Sequence, residues 1–600
     1  MIRYDVCPPK LLLLQGKGYT AGTKQLLSQV SGATKRLQKS LHALLKNASN
    51  EELNYILCAV NVPATIEVVG KSTIEFLIKE KVRHLETVSR AALVDGIQKL
   101  GLRYRPTRQS WVRDVILHTR GFELTKFKGY IDDGGDYHTM YKLIYNDLQG
   151  TIQREVLDHI RKEGLDVMNA LGDLGSDRPP AAVLKVLSDI DDTVFSSGGS
   201  FPAGVDMRYP RKCFYPGALA FYSALDRCFA QKYAATVAKL VNGSVKVAAS
   251  SKICSEATVA SAPDVALQDH QPIEALQQAS AAFHYTSIGS FGEGDGKYVL
   301  STIKNLVQCP IGPLRHHQEG SNLIFLSARP ESYKGLTESE SYRKYFQPFV
   351  LRGDLDTSPT MLLGSLDSGP RALMKLLTNK WVQSDDPNPK TAADVLYQTI
   401  AAKKLSRFRE YAAIYPEAAF VFVGDNGQGD ALCAEILSSD SQNSPTSVES
   451  PKLIASFIHK VIPTTQTLSI LARSDHYSRE DLLSAWEERN IYFERTHVGM
   501  AVDATNIGLL DKEGLEMVTR SAVSDFARIM ARYQGRRAGR NLAEAAKRLN
   551  EDLSSASCLL GLDFKVSLIE CQTATRAVVE LSDKLDSCDL SDVNGLTPMH

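Results

Sequence analysis

The chain has 600 residues with 43% apolar side chains, an ordinary globular composition that is too long for a single hydrophobic core. Lys plus Arg and Asp plus Glu both number 69, so no net field draws the molecule to nucleic acid. Ten cysteines without a C-x-x-C pair argue against a disulfide framework or a thiolate zinc site, and no apolar run reaches the roughly 20 residues that span a bilayer.

The first segment, MIRYDVCPPKLLLLQGKG, offers four consecutive leucines, too few for a signal-peptide core, and the expected location is cytoplasmic. Leu26, Val30, Ala33, Leu37, Leu41 and Leu44 recur at spacings of three and four, which predicts one stripe of a helix. Residues 1–175 accordingly read as a mostly helical N-terminal region. Between residues 6 and 50 there are seven Lys or Arg and no acid, with Lys24, Lys35, Arg36, Lys39 and Lys46 beside the stripe. Such a face either packs into a helical domain with its lysines in water or lies on an anionic bilayer. Packing is the preferred reading for the stripe itself, and a basic patch near a membrane needs no insertion.

GDLGSDRPP (172–180) reads as a linker. From 181 to about 460, short apolar runs such as NLIFLS and AAFVFVGD alternate with helical segments, which predicts a parallel sheet with crossover helices. Residues of about 232–297, rich in Ala, Ser, Val and Gly, read as an inserted flexible segment, and SSDSQNSPTSVESP (438–451) as a polar surface loop. Residues 465–600 return to helical periodicity until the polar tail DLSDVNGLTPMH. Within them the run from Arg528 to Arg548 carries seven basic residues against Glu544 alone.

One stretch of the sheet region demands a chemical explanation. In AAVLKVLSDIDDTVFSSGG an apolar strand ends at Asp189, Asp191 and Asp192. Carboxylates that close raise one another's pKa and cost stability unless a cation or a shared proton relieves them. Two other predicted strands also end on polar residues: NLIFLSARP at Ser327, and FVFVGDNGQGD at Asp425 with Asp430 beyond it. Ligands of open parallel sheets bind beyond the carboxyl ends of the strands. If the three strands are neighbours, their tips form a site of carboxylates and a hydroxyl, hard oxygen ligands that suit Mg²⁺ better than zinc or copper. The same groups suit phosphoryl transfer: one aspartate attacks phosphorus, a second two residues on moves the proton, and a lysine offsets charge. Lys403 and Lys404, expected to open the helix that feeds the third strand, are the candidates.

D-x-D-x-T after a strand, a strand-terminal Ser, a Lys and G-D-x4-D resemble the four motifs of haloacid-dehalogenase-type phosphatases. SDIDDTV, FYPGALAFYSAL, LSARPESY and YPEAAFVFVGDNGQGD further resemble the catalytic domain of the actin-patch-associated phosphatidate phosphatases, over about residues 183–437 with gaps. The resemblance implies an α/β fold: a haloacid-dehalogenase-like, Rossmann-like parallel-sheet core in 181–460, flanked by mostly helical N- and C-terminal regions. It makes Asp189 the nucleophile and Asp191 the general acid/base. Thr193 would orient the motif and bind phosphate, and Ser327 would hold a phosphate oxygen. Lys404 fits the family spacing with Phe408, Tyr415 and Pro416 in register, and Lys403 is the alternate. The implied Mg²⁺ ligands are Asp189, the Asp191 carbonyl and Asp425, with Asp430 close by. Val194-Phe195 and Asn426 depart from the family pattern, and the spacers around LSARP are long.

Other motifs fail on inspection. Counted from Asp189, a calcium loop would need Gly at Val194 and Glu at Ser200. GSFGEGDGK (289–297) lacks the Walker glycine at Phe291, and Tyr298 follows its lysine. His316 and His317 are adjacent loop residues with no metal-ligand spacing, and there is no G-x-S-x-G elbow. The expectation is a Mg²⁺-dependent phosphatase that hydrolyses phosphatidate to diacylglycerol at a phosphatidate-containing membrane surface, acting peripherally from the cytoplasm. Two readings stay open beside it: the same chemistry on a phosphoprotein or soluble phosphoester, and a non-catalytic phosphatidate-sensing module. Phe201 to Tyr215 and the Gly-rich loop near 292 are candidates for shielding the site.

Overall fold

The structure is a computed structural model that describes residues 39, 42–43, 45–59, 62–133, 138–172, 183–199, 204–232, 322–330, 346–364, 392–443, 452–475, 479–533 and 539–566. The leucine stripe, residues 173–180 of the linker, residues 233–297 of the insertion, the two adjacent histidines and the polar tail lie outside the described residues. The chain divides into two compact units, the first formed by residues 1–101 and 252–315 and the second by the remainder.

In the first unit, α1 (Asn50–Ala59), α2 (Val62–Val69), α3 (Lys71–Phe76) and α4 (Thr87–Lys99) pack around Leu53, Leu57, Val62, Ile66, Ile74, Leu93 and Ile97. The sequence starts α1 with a capping box. The Glu52 N–H donates to Ser49 Oγ and the Ser49 N–H donates back to Glu52 Oε2, closing two otherwise open donors.

The second unit opens with α5 (Pro106–Leu117), α6 (Gly121–Asp132) and α7 (Gly150–Gly172), then builds a sheet. Its strands are β1 (Val183–Asp189), β2 (Leu323–Pro330), β3 (Thr360–Gly364), β4 (Ala418–Asp425), β5 (Lys452–His459) and β6 (Ile491–Glu494). They run all parallel in the order β3-β2-β1-β4-β5-β6, so the chain winds outward from β1 in one direction and then returns to start again at β4. Apolar on both sides, the central strands need helices on both faces. One face, with Val186, Phe325, Val421 and Phe457, is covered by helical residues 218–232 and by α13 (His497–Asn506), α14 (Lys512–Tyr533) and α15 (Gly539–Leu560). On the other lies α9 (Ala392–Ile414), whose Phe408 meets Phe420 and Phe422 at ring-centroid distances of 5.3 and 6.1 Å. Shorter elements complete the order: α8 (Gln347–Arg352) before β3, α10 (Asp430–Asn443) after β4, and α11 (Thr464–Asp475) and α12 (Arg479–Glu488) before β6.

The α/β class and the parallel sheet are as expected, with four differences. β2 continues past Ser327 to Pro330, because its pairing with β3 extends to Gly364. Lys403 and Lys404 lie in the middle of α9, which begins at Ala392, instead of opening it. The first residues of the 438–451 segment are the last turn of α10. The C-terminal region contributes β6, whose four residues are too few to show a period of two. No helix among the described residues is long and apolar enough to cross a membrane. In the described part of the basic C-terminal run, Arg528 and Arg548 are paired with Asp525 and Glu544.

Candidate metal centre

Strand order reverses between β1 and β4, and that reversal opens a crevice beyond the carboxyl ends of the two strands. Asp189 is the last residue of β1 and Asp425 the last of β4. β1 and β4 pair along their length, Ser188 with Val423, so the two aspartates emerge side by side. A short turn then delivers Asp430 as the first residue of α10, where a carboxylate suits the helix N-terminus. Its Oδ2 accepts the Asp425 N–H at 3.1 Å. The carboxylates of Asp189, Asp425 and Asp430 can each place one oxygen within 4.8 Å of the others, and all three are buried.

Lys404 reaches the cluster from α9. Its Nζ lies 3.0 Å from Asp189 Oδ1 and 2.5 Å from Asp430 Oδ1, with 3% of the side chain exposed. Lys403, one residue earlier, points outward and is exposed, so helix geometry decides between the two lysines. Burial on its own would lower the Lys404 pKa; Asp189, Asp430 and Asp425 more than reverse that and hold it above the ordinary lysine value. Burial pushes Asp189 up to about 8, opposed by Lys404 and reinforced by Asp430 and Asp191. Asp425 is raised well above the usual carboxylate range by burial and by Asp430. Three carboxylates against one ammonium leave two uncompensated negative charges when all are ionised.

Unsatisfied buried atoms mark where a ligand belongs. Asp189 Oδ2, Asp425 Oδ2 and Thr193 Oγ1 are buried without a hydrogen-bond partner. A buried polar atom left unpaired costs about 1–3 kcal/mol, more when charged. Two orphaned carboxylate oxygens with an excess charge of two are a fitting donor set for a divalent cation with oxygen preference. Asp430 is differently placed: its two oxygens serve the Asp425 N–H and Lys404. Asp191 lies two residues beyond Asp189, partly exposed, in the loop that Thr193 and Val194 close through N–H bonds to the Ile190 carbonyl. Ser327 follows Leu326, the β1 register partner of Asp189, so its backbone lies at the same end of the sheet; its side chain is outside the described residues.

The structure also accounts for Asn426. Its Oδ1 accepts the N–H groups of Val461 and Ile462 at 2.8 and 3.0 Å, and its Nδ2 donates to Ile462 O and to Thr467 Oγ1, both at 2.9 Å. A serine cannot make four such bonds; the amide staples the loop after β4 to the start of α11. Sequence reasoning missed His459 and His497, the last residue of β5 and the first of α13, both buried behind the aspartate loop. Burial, with Arg208 for His459 and with His459 for His497, holds both below the usual histidine range, His459 at about 4. They are neutral packing rings against Tyr215, Phe221 and Tyr222, and no local signal in the sequence marks them.

Fold and site together define a doubly wound α/β protein with a buried acidic cluster at its topological switch point, able to hold a metal ion. Comparison with protein-family models, curated proteins and solved structures finds no match to the chain.

Proposed function

We propose that this chain is a Mg²⁺-dependent phosphatase of the haloacid-dehalogenase type acting on phosphatidate. The observation that carries the reading is the meeting of Asp189, Asp425, Asp430 and Lys404 at the β1/β4 crevice, four residues from three separate segments of the chain. Such a superfamily needs these types in these roles, and the motif order D-x-D-x-T, Ser, Lys, G-D-x4-D supports it.

In this reading an Asp189 oxygen attacks phosphorus and the ester P–O bond breaks. Asp191, partly exposed and so open to substrate, gives its proton to the departing alcohol oxygen. Water then attacks the phosphorus of the aspartyl-phosphate and loses a proton to Asp191, and phosphate leaves with the Asp189 carboxylate restored. Lys404 holds the Asp189 and Asp430 carboxylates in place throughout. Thr193 Oγ1, buried and unpartnered, is available to a phosphate oxygen. Asp189 and Asp425 would hold Mg²⁺, which when bound offsets the charge of the meeting anions. The lipid substrate rests on the family resemblance and the basic stretches.

The test is phosphate release from phosphatidate vesicles by the full chain in Mg²⁺, with Asp189→Asn as control. Turnover by the wild type alone supports the reading. A wild type inert on vesicles but active on a soluble phosphomonoester removes the lipid assignment, and Mg²⁺-independent vesicle flotation without turnover on either substrate removes the enzyme.

A further inference from the structure

Asp192, third of the crowded aspartates, has no role in the chemistry above, yet it is the most heavily bonded of them. Its φ of +58° lies in the left-handed region that favours glycine. The carboxylate accounts for the choice of residue. Oδ1 accepts the Ser197 N–H at 2.7 Å, and Oδ2 accepts the N–H groups of Val205 and Asp206 at 2.6 and 2.9 Å. Backbone runs so close that a Cβ at Gly204 would lie 2.1 Å from Oδ2. Asp192 is itself anchored. Its N–H donates to Phe195 O at 2.8 Å, and its carbonyl lies 2.7 Å from His459 Nδ1.

The anchored segment leads back to the metal centre. Val205 packs on Gly427, where an added Cβ would lie 2.8 Å from Val205 Cγ2 and 3.0 Å from Asp425 Oδ1. The Gly427 N–H donates to Asp425 Oδ1 at 2.6 Å, which leaves Oδ2 as the orphaned oxygen. An unbroken line of contacts therefore runs from the Asp192 carboxylate through Val205 and Gly427 to Asp425.

We propose that Asp192 is a positioning residue: its carboxylate clasps the backbone at Ser197, Val205 and Asp206 and, through Val205 and Gly427, sets the orientation of the Asp425 carboxylate beside Asp189 and Asp430. The inference rests on the metal-site reading above. Its test uses the full chain as wild type, Asp192→Gly and Gly427→Ala, read by amide hydrogen exchange, thermal melting and calorimetric titration with Mn²⁺. Glycine suits the backbone angle, which keeps Asp192→Gly foldable, but three N–H groups lose their acceptor, so it melts below wild type and its Ser197, Val205 and Asp206 amides exchange at least about tenfold faster. Its Mn²⁺ affinity falls about tenfold or more, the range for groups that orient a metal ligand. Gly427→Ala keeps the amide protection and loses affinity by a similar factor. Wild-type affinity in Asp192→Gly overturns the positioning role even where exchange accelerates, and unchanged exchange overturns the clasp. A wild type that takes up no Mn²⁺ overturns the metal reading instead, a separate failure. Should the glycine variant not fold, Asp192→Asn, which keeps one acceptor oxygen, carries the same readouts with smaller changes.

Discussion

Lys404 shows how one buried side chain holds an acidic site together. An ammonium with 3% exposure stays charged because two carboxylates lie within 3.0 Å of it, and those carboxylates tolerate each other because it is there. Removing one partner of a buried ion pair strands the other and costs about 3–5 kcal/mol. Lys404→Met is therefore expected to lower stability by that order, read by urea unfolding, and to remove phosphate release; a fully stable variant would mean that Asp189 and Asp430 do not need the cation. Asp189→Asn is a different case. It neutralises one of three crowded acids, so the metal-free protein is expected to keep its fold, and on the proposed phosphatase reading phosphate release should drop by about 10⁴-fold or more, the scale of losing a nucleophile. An Asp189→Asn enzyme that still turned over would reassign the attacking group.

Helices and strands meet at the opposite end of the sheet through charges that a sequence pattern does not reveal. On α6, Lys128 Nζ donates to Ile414 O at 2.8 Å and to Glu417 Oε1 at 2.7 Å, and Thr125 Oγ1 donates to Glu417 at 2.8 Å. Asp132 at the end of the same helix accepts from the hydroxyls of Tyr411 and Tyr415 at 2.9 and 2.7 Å. These bonds fix the end of α9 and the start of β4, and so the helix that carries Lys404 and the strand that carries Asp425. Burial holds the Lys128 pKa below the ordinary lysine value, with Glu417 and then Asp132 opposing it. Lys128→Met should cost about 3–5 kcal/mol in denaturant unfolding, and a neutral result would assign the network no structural weight. The parts of the fold that were legible in the sequence are those with strong local signals. β1 and β4 announce themselves by largely apolar runs ending in acids, and the structure brings Asp189, Asp425, Asp430 and Lys404 together. β6 was too short to read, the start of α9 was hidden because Ala392–Ile414 carries no one-sided apolar stripe, and the role of Asp192 escaped because its partners are mostly backbone N–H groups. The histidines behind the loop depend on packing between distant segments, which no spacing encodes.

Across the whole molecule, positive and negative charges balance, so the two uncompensated charges that the acidic cluster carries when fully ionised are a local excess and not part of a general field. That excess links proton binding, metal binding and folding. Asp189 titrates near 3.8 in the unfolded chain and at about 8 in the folded one, chiefly through burial. Between those values the folded state binds more protons than the unfolded state, so its contribution to stability is complete below the lower value and is lost as pH rises to the upper. A divalent ion bound at this cluster would take the place of those protons and would stabilise the fold according to its concentration relative to Kd, most where the carboxylates are ionised. Metal-free protein should therefore melt at progressively lower temperature from about pH 5 to pH 8, and saturating Mg²⁺ should raise the melting temperature more at the alkaline end. Asp189→Asn should flatten the metal-free slope, which separates this cluster from other titrating groups such as Asp552, raised by burial to about 6. A Mg²⁺ increment equal at both ends of the range, or a slope unchanged by Asp189→Asn, would show that proton and metal do not compete for one site and would sever the link between the acidic crevice and the stability of the fold.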